Sequence, residues 1–339
     1  MRVVLAGLLL VSTACSHASP PSAAEHASRR DEWLLALRSD VQRIGAADGF
    51  EGTLRVRHGG KPEIEQSFGS TTCLPLGAGR RVLATLAVGA LAQAGRLRYG
   101  DRVERILPDL ARSSLGPLTI ENLLTNSAGL ARETEVSSPP HRDDDLENRL
   151  LAAGKVPLHS APGTWIDPED ERPWQLVEDV VTQVSGEPFA DFVARTVLVP
   201  AGLRDTTLRA TGACPEASRG VTSLEDQFRL IDALRSGTVI SAATRDELWT
   251  PRLPTAAGRD MALGFTVRTA TTERAVGIGS PVAATAYELW IDPASTDALV
   301  LLGRTPTSTG RGIRVALGEF YALPPSAPHG PPPRTGARR

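Results

Sequence analysis

A run of acidic residues from Asp167 to Glu171 is one feature of the sequence that could perform chemistry. Two carboxyl groups held close together can act as a general acid and a general base. The alternative is that the run only begins a helix, because the helix dipole favours carboxylates there and Pro173 suits a first helical turn. The position favours this second interpretation, in which the acidic run caps a helix that begins near Pro173.

Two adjacent arginines, Arg80 and Arg81, raise the opposite question, because they stand at the start of an apolar segment. Residues 74–97 place leucine and alanine at helical spacing and therefore predict a buried helix. A guanidinium group stays charged at any working pH, so neither arginine can take a proton from a nucleophile. A partly buried arginine is costly without a carboxylate partner, and we expect one nearby.

Other candidate nucleophiles are Ser280 and the hydroxyl and thiol groups of the segment Ser70–Cys73. No base stands beside any of them in the sequence, so none is favoured. The sequence contains no G-x-S-x-G motif, which would hold a serine at a strand–helix turn. The six histidines show no metal-ligand spacing and no cysteine pair forms a zinc motif, so we predict neither metal nor cofactor.

The elements that would position these groups follow a simple order along the chain. Residues 50–69 predict a hairpin, and alternating segments from Leu263 onwards predict further strands, whereas the middle of the chain is helical in pattern. This order predicts an α+β fold, with an antiparallel sheet flanked by helices and a helical insertion domain. We assign residues 25–110 and 225–322 to the sheet-containing domain and residues 111–224 to the helical domain.

Both ends of the 339-residue chain have compositions that differ from the rest. Residues 1–18 are typical of a signal peptide, and Cys15 in LLVSTAC resembles a lipidation site; a plain secretory signal cut near Ala18 is the alternative. Either interpretation predicts export, as a periplasmic or cell-surface lipoprotein or as a secreted protein. Residues 323–339 are rich in proline, which predicts a disordered tail.

Charge and cysteine content limit the kinds of partner. The formal net charge is −2, which gives no reason to expect nucleic-acid binding, and membrane contact is expected only through a lipid anchor at Cys15. Export would permit a disulfide between Cys73 and Cys214, but two cysteines so far apart in sequence can equally be free and buried. The sequence leaves both states open and predicts no oligomeric state.

The order of the segments resembles that of the serine β-lactamase and DD-peptidase superfamily, in its class C, esterase-like branch. Matching stretches run from about Phe50 to Arg304 and include LTIENLLTNSAGL, APGTW, VSGEPFADFV, VLVPAGLRDTTL and LWIDP. Each stretch is weak alone, whereas their order and spacing together are specific. The resemblance implies a β-lactamase/transpeptidase-like fold and acyl-transfer chemistry by an activated serine.

The first motif of that family, Ser-x-x-Lys, is replaced in this sequence. The matching residues are Ala78 in the nucleophile position and Arg81 in the lysine position. A methyl group cannot attack a carbonyl, and arginine cannot serve as a base. A shifted alignment does not restore the motif, because lysine occurs only at Lys61 and Lys155 and neither has a serine three residues before it.

The second and third family motifs are replaced as well. The Tyr-x-Asn (or Ser-x-Asn) triplet falls on Glu169, Asp170 and Glu171, so the phenol and the amide are both lost. The Lys-Thr-Gly or His-x-Gly triplet falls on the stretch Ile278, Gly279 and Ser280, which lacks a basic or imidazole group. Three independent losses indicate that no standard catalytic residue is intact.

The resemblance also implies that the acidic run and the two arginines meet at a domain interface. We therefore expect Glu169 or Glu171 to pair with Arg80 or Arg81 across the cleft. Two added carboxylates would make the cleft more negative than in relatives and would disfavour ligands that carry a carboxylate.

These observations predict an exported, β-lactamase-like serine hydrolase homologue that is catalytically inactive and acts by binding at the cell envelope. Its partner would be an envelope component or a peptide. Two alternatives stay open. One is an active hydrolase, esterase-like or peptidase-like, that uses a non-standard constellation in the same cleft, such as Glu169 and Glu171. The other is a structural or regulatory partner protein.

Overall fold

The computed structural model describes most of the chain between residues 50 and 304. The described ranges are 50–71, 73–131, 157–168, 170–209, 219–255, 259–268, 275–279 and 285–304, with residues 32, 35, 36, 38, 39, 42, 43, 214 and 217. Predictions for the signal segment with Cys15, for Glu169, for Ser280 and for residues 323–339 fall outside the described residues.

Seven antiparallel strands of the described chain form one sheet, in the order β2-β1-β7-β6-β5-β4-β3. The strands are β1 Glu51–His58, β2 Lys61–Phe68, β3 Arg259–Met261, β4 Thr266–Arg268, β5 Ala275–Gly279, β6 Thr285–Ile291 and β7 Ala298–Arg304. The hairpin β1–β2 turns at Gly59 and Gly60, whose φ angles of 56° and 80° suit the tight turn. Because β1 also pairs with β7, the first group of strands and the last strand belong to the same sheet.

The helices lie between these two groups of strands in the sequence. They are α1 Gly79–Gln93, α2 Val103–Ile106, α3 Ile120–Leu124, α4 Arg172–Ser185, α5 Phe189–Val193, α6 Leu224–Ser236 and α7 Ala242–Leu248. A 3-10 turn spans Pro108–Leu110, and a π-helical turn spans Ala194–Leu198. No described helix combines the length and the hydrophobicity that crossing a bilayer requires.

Helix α1 is the centre of the larger core. Ten of its 15 residues are buried, and it packs against α4, α5 and α7. Its start lies so close to the sheet that a Cβ at Gly79 would stand 2.5 Å from the ring of Tyr287 on β6. Glycine is required at this position, and the close approach fixes Ala78 and the two arginines relative to the sheet.

A disulfide joins Cys73 to Cys214, with 5.6 Å between the two Cα atoms. The structure thereby decides between the two states that the sequence left open. Near the bridge, the amide of Leu76 donates to the carbonyl of Gly220 at 2.9 Å, and the amide of Thr222 donates to Leu74 at 3.0 Å. The segment before α1 and the chain around residues 214–222 are therefore fastened together by a covalent bond and by backbone hydrogen bonds.

We expect the double variant Cys73→Ser/Cys214→Ser to lower the free energy of unfolding by about 2–4 kcal/mol, because the bridge restricts the unfolded chain. Urea titration followed by far-UV circular dichroism measures the loss. A reducing agent should destabilise the wild-type protein by a similar amount and leave the double variant unchanged. Equal stability of the oxidised wild type and the double variant would contradict this expectation.

Candidate functional site

The start of α1 is the centre of the candidate site. Ala78 stands immediately before the helix, 8% exposed, and its methyl group carries no atom that can attack a carbonyl. The residue has no capping side chain and the first turn of α1 contains no acidic residue. The positive end of the helix dipole and two arginine side chains thus lie together, and carboxylates must come from other elements.

Arg81 obtains its carboxylate from Glu171, as expected from the sequence. One guanidinium nitrogen, Nη2, pairs with Glu171 Oε1, and Nη1 donates to the carbonyl of Pro168 at 3.0 Å. The guanidinium also lies over the ring of Trp174, 5.5 Å from its centroid. Within the described part of the chain, the buried Nε of Arg81 has no hydrogen-bond partner. The side chain is held in place, and its charge is compensated across the interface between α1 and α4.

Glu171 is the N-cap residue of α4, but its side chain makes no capping hydrogen bond and binds arginines instead, so the acidic run does more than begin a helix. Its second oxygen accepts a hydrogen bond from Arg219 Nη1 at 3.1 Å. Burial raises the pKa of the Glu171 carboxyl, but Arg81 and Arg219 together outweigh burial and hold that pKa below its ordinary value. Asp170 supplies the local contact instead, because its Oδ1 accepts from the amide of Arg172 at 2.9 Å.

Arg80 forms an ion pair with a different carboxylate, which the sequence analysis did not identify. Its Nε and Nη2 bind Glu178 Oε1 and Oε2 at 2.5 and 2.7 Å, an arrangement with two parallel hydrogen bonds. Nη1 donates to the carbonyls of Leu208 and Arg219 at 2.9 and 3.0 Å. Glu178 lies seven residues after Glu171, which places both on the same face of α4. That spacing was the available signal.

Arg219 completes what we call the arginine cluster, which consists of Arg80, Arg81, Arg219, Glu171 and Glu178. The Nη2 of Arg219 lies 3.3 Å from Glu178 Oε1, so this arginine contacts both carboxylates. Three guanidinium groups face two carboxylates, which leaves a formal charge of +1 (three minus two). These five side chains by themselves carry no excess of negative charge, while Glu169, the other carboxylate in the expectation of a more negative cleft, lies outside the described residues.

The third motif position lies on β5, beside a buried glutamate. Ile278 is buried, and Gly279 pairs with Glu288 of β6 in the sheet register. A Cβ at Gly279 would stand 2.1 Å from Glu288 Oε2, which also accepts from Trp290 Nε1 at 2.9 Å. A carboxylate thus occupies space next to the strand position where the family resemblance would place a cationic or imidazole group.

Four of the predicted positions converge on one region. Arg81 pairs with Glu171, and Ala78 immediately precedes the helix that carries Arg81. Gly279 is linked to them through the sheet, because the turn before α1 lies against Thr285 and Tyr287 of β6, and β6 pairs with β5. Among the described residues no group of three or more histidine, cysteine, aspartate or glutamate side chains could hold a metal ion. The arrangement keeps charged side chains in fixed positions. It presents no activated nucleophile at position 78.

Comparison of the sequence with known families gives a match over most of the chain. The family model described as Beta-lactamase matches residues 36–317. The PbpX protein of Bacillus subtilis (strain 168) is 23% identical over 240 residues, which cover 60% of this chain and 59% of that protein. The chain therefore spans about three fifths of the length of this curated relative.

Comparison of the structure gives the same fold. A penicillin binding protein from Bacillus halodurans superposes with a TM-score of 0.68 at 15% identity, covering 84% of this chain and 98% of that one. A class C beta lactamase from Rhodobacter sphaeroides gives a TM-score of 0.66 at 14% identity, with coverages of 85% and 98%. At these identities the likeness concerns the fold alone, and it confirms the predicted α+β, β-lactamase/transpeptidase-like architecture.

A double-mutant cycle on Arg81→Gln and Glu171→Gln should give a coupling energy of about 1 kcal/mol at neutral pH, because the pair is partly buried. Because the folded-state pKa of Glu171 is lowered, its contribution is present above the unfolded pKa, near 4.5. It should be lost as pH falls from there through the folded pKa. Urea unfolding of the four proteins at several pH values measures both effects.

The exposed pair Arg209–Asp191, with side chains 70% and 51% exposed, provides a matched control. Its cycle, with Arg209→Gln and Asp191→Asn, should give less than about 0.5 kcal/mol. Equal coupling in the two pairs, or a coupling at Arg81–Glu171 that grows on acidification, would contradict the assignment of Glu171 as the compensating charge.

Proposed function

Since the chain belongs to the beta-lactamase family, we propose that it is an exported member that has lost acylation chemistry and acts by binding at the cell envelope. The observation that carries this proposal is the ion pair between Arg81 and Glu171. By resemblance, Arg81 stands where relatives carry the lysine that helps to activate serine, and Glu171 stands where they carry an amide. These two motif positions are in contact, which supports the alignment by which the missing catalytic residues were identified.

The chemistry of the pair supports inactivity beyond the missing nucleophile. A lysine beside a neutral amide can lose its proton, whereas a cation beside a carboxylate is held in its charged form. The change at position 171 therefore favours a permanent positive charge at position 81. With Arg81 held in its charged form, a serine restored at position 78 would lack the base that relatives have at position 81 to accept its proton.

The alternative of an enzyme that uses carboxylates receives less support at Glu171. Two arginines bind this carboxylate, and its pKa is lowered after the opposing effect of burial. A carboxylate of low pKa is a weak general base near neutral pH and is not protonated for use as a general acid. Activity in a broad esterase, peptidase and glycosidase screen that Glu169→Gln abolishes would support this alternative.

The arginine cluster supports a partner with an anionic group. Its formal charge is +1, and Arg219, 38% exposed, is the most exposed of its three cations, next to Glu171 at 44%. A carboxylate of a peptide or of another envelope component would complete the charge balance. This proposal departs from the expectation, drawn from the sequence, that ligands bearing a carboxylate are disfavoured.

We expect the purified protein neither to hydrolyse nitrocefin nor to be labelled covalently by bocillin. The variant Ala78→Ser/Arg81→Lys should also stay unlabelled, because Glu171 keeps the new lysine charged. Adding Glu171→Asn to it should produce the first detectable labelling. Gel fluorescence and absorbance assays measure these outcomes, and turnover by the wild-type protein that a serine substitution removes would contradict the loss of chemistry.

Binding at the envelope predicts that the purified protein sediments with isolated cell-envelope fragments in a saturable manner. Arg219→Gln should weaken this binding several-fold, since it removes the exposed charge of the cluster, while the matched surface variant Arg209→Gln should bind as the wild type does. Added salt should weaken binding as well. Absence of sedimentation, or equal weakening by the two variants, would count against the proposed role of the cluster.

A further inference from the structure

A cavity of about 350 Å³ lies at the far end of α1 from Ala78. Its wall includes Ala92, near the C-terminus of α1, so the cavity lies about 20 Å along the helix from the arginine cluster. The turn after α1 contributes Arg98 and Tyr99, α3 contributes Glu121, and the chain from α7 onwards contributes Glu247 and Arg252. It is thus a separate site built from three elements.

Tyr99 provides the first sign that the cavity is made for a polar ligand. The residue is 8% exposed, and within the described part of the chain its hydroxyl has no hydrogen-bond partner. Burial, reinforced by Glu247 and opposed by Arg252, raises the pKa of Tyr99 to about 12, so the phenol is neutral at ordinary pH. A neutral phenol can both donate and accept a hydrogen bond. A buried hydroxyl that makes neither bond has an unfavourable free energy, and a ligand that bonds to it removes this cost.

Arg252 provides a second, independent sign. Its buried Nε has no hydrogen-bond partner among the described residues, although its main chain is fixed by a bond from its amide to the carbonyl of Met261 at 2.8 Å. The nearest carboxylate contact, from Nη2 to Glu247 Oε1, measures 3.7 Å, which is long for a hydrogen bond. The two side chains are 28% and 52% exposed, so both are accessible to a ligand in the cavity.

The charges of the wall are balanced. Arg98 and Glu121 add one charge of each sign to Arg252 and Glu247. A ligand with a single charge would satisfy one pair of side chains and leave the other pair facing its own sign. A ligand with both charges satisfies all four. The volume is near the lower end of the range for ligand cavities, which suits a molecule rather than a polymer segment.

We propose that this cavity binds a small zwitterion of amino-acid size. Its carboxylate is held by Arg98 and Arg252, its ammonium group by Glu121 and Glu247, and the Tyr99 hydroxyl bonds to the end of the ligand that lies deepest. The site is independent of the cleft at Ala78, and the inference does not rest on the function proposed for that cleft.

Isothermal titration calorimetry and thermal unfolding test the proposal with defined probes: each common L-amino acid, glycine and D-alanine, each alone. We expect at least one of them to bind saturably and to raise the melting temperature. Acetate and methylammonium, which carry one charge each, should bind at least tenfold more weakly. Failure of every amino acid to bind, or equal binding of a half-ligand, would overturn the proposal.

Two variants address the residues. Tyr99→Phe removes only the hydroxyl, and Arg252→Gln removes one charge; each should weaken binding of the best amino acid at least tenfold. Arg209→Gln, a matched change on another surface, should leave binding unchanged. Circular dichroism melting of each variant establishes that it is folded, and folded Tyr99→Phe and Arg252→Gln proteins that bind as tightly as the wild type would overturn the assignment.

Discussion

The need to compensate two buried guanidinium groups at the start of α1 governs the arrangement of the surrounding elements. Arg80 and Arg81 are 15% and 11% exposed, and a charge held so far from water is strongly unfavourable unless a carboxylate meets it. Helix α4 supplies both carboxylates from one face. The chain near the disulfide supplies Arg219, which contacts both of them. The packing of α1 on α4 and the position of this loop therefore depend on the same five side chains.

The same constraint decides what chemistry the region can support. An acylating site needs a base that takes a proton from the nucleophile and later returns it. The pKa of that base must therefore lie near the working pH. Here each cation faces a carboxylate, and each such contact stabilises the charged forms of both partners. The replacement of lysine by arginine and the replacement of an amide by a carboxylate are thus consistent with one another. Together they give a site in which each described cation faces a carboxylate.

Sequence reasoning reached the fold and part of the site because those parts leave local patterns. The apolar spacing of α1, the alternation in β1 and the order of the segments can all be read from short stretches, and the position of Glu171 follows from counting along one motif. Arg219, Glu178 and Glu288 were missed because their roles depend on contacts between distant segments. For the same reason, counting new carboxylates did not reveal that Arg219 joins them.

The two ends of α1 differ in a way that explains how the fold can persist with Ala78 and Arg81 at the first motif. The helix is buried along most of its length, so its apolar packing, rather than the groups at its start, provides most of its stabilisation. Once the arginines are compensated, nothing in that packing requires a serine at position 78. At the other end, the chain leaves the core as a surface turn, where polar side chains from three elements can gather without disturbing the interior. Residues 97–100 can therefore acquire a new ligand site independently of the old cleft.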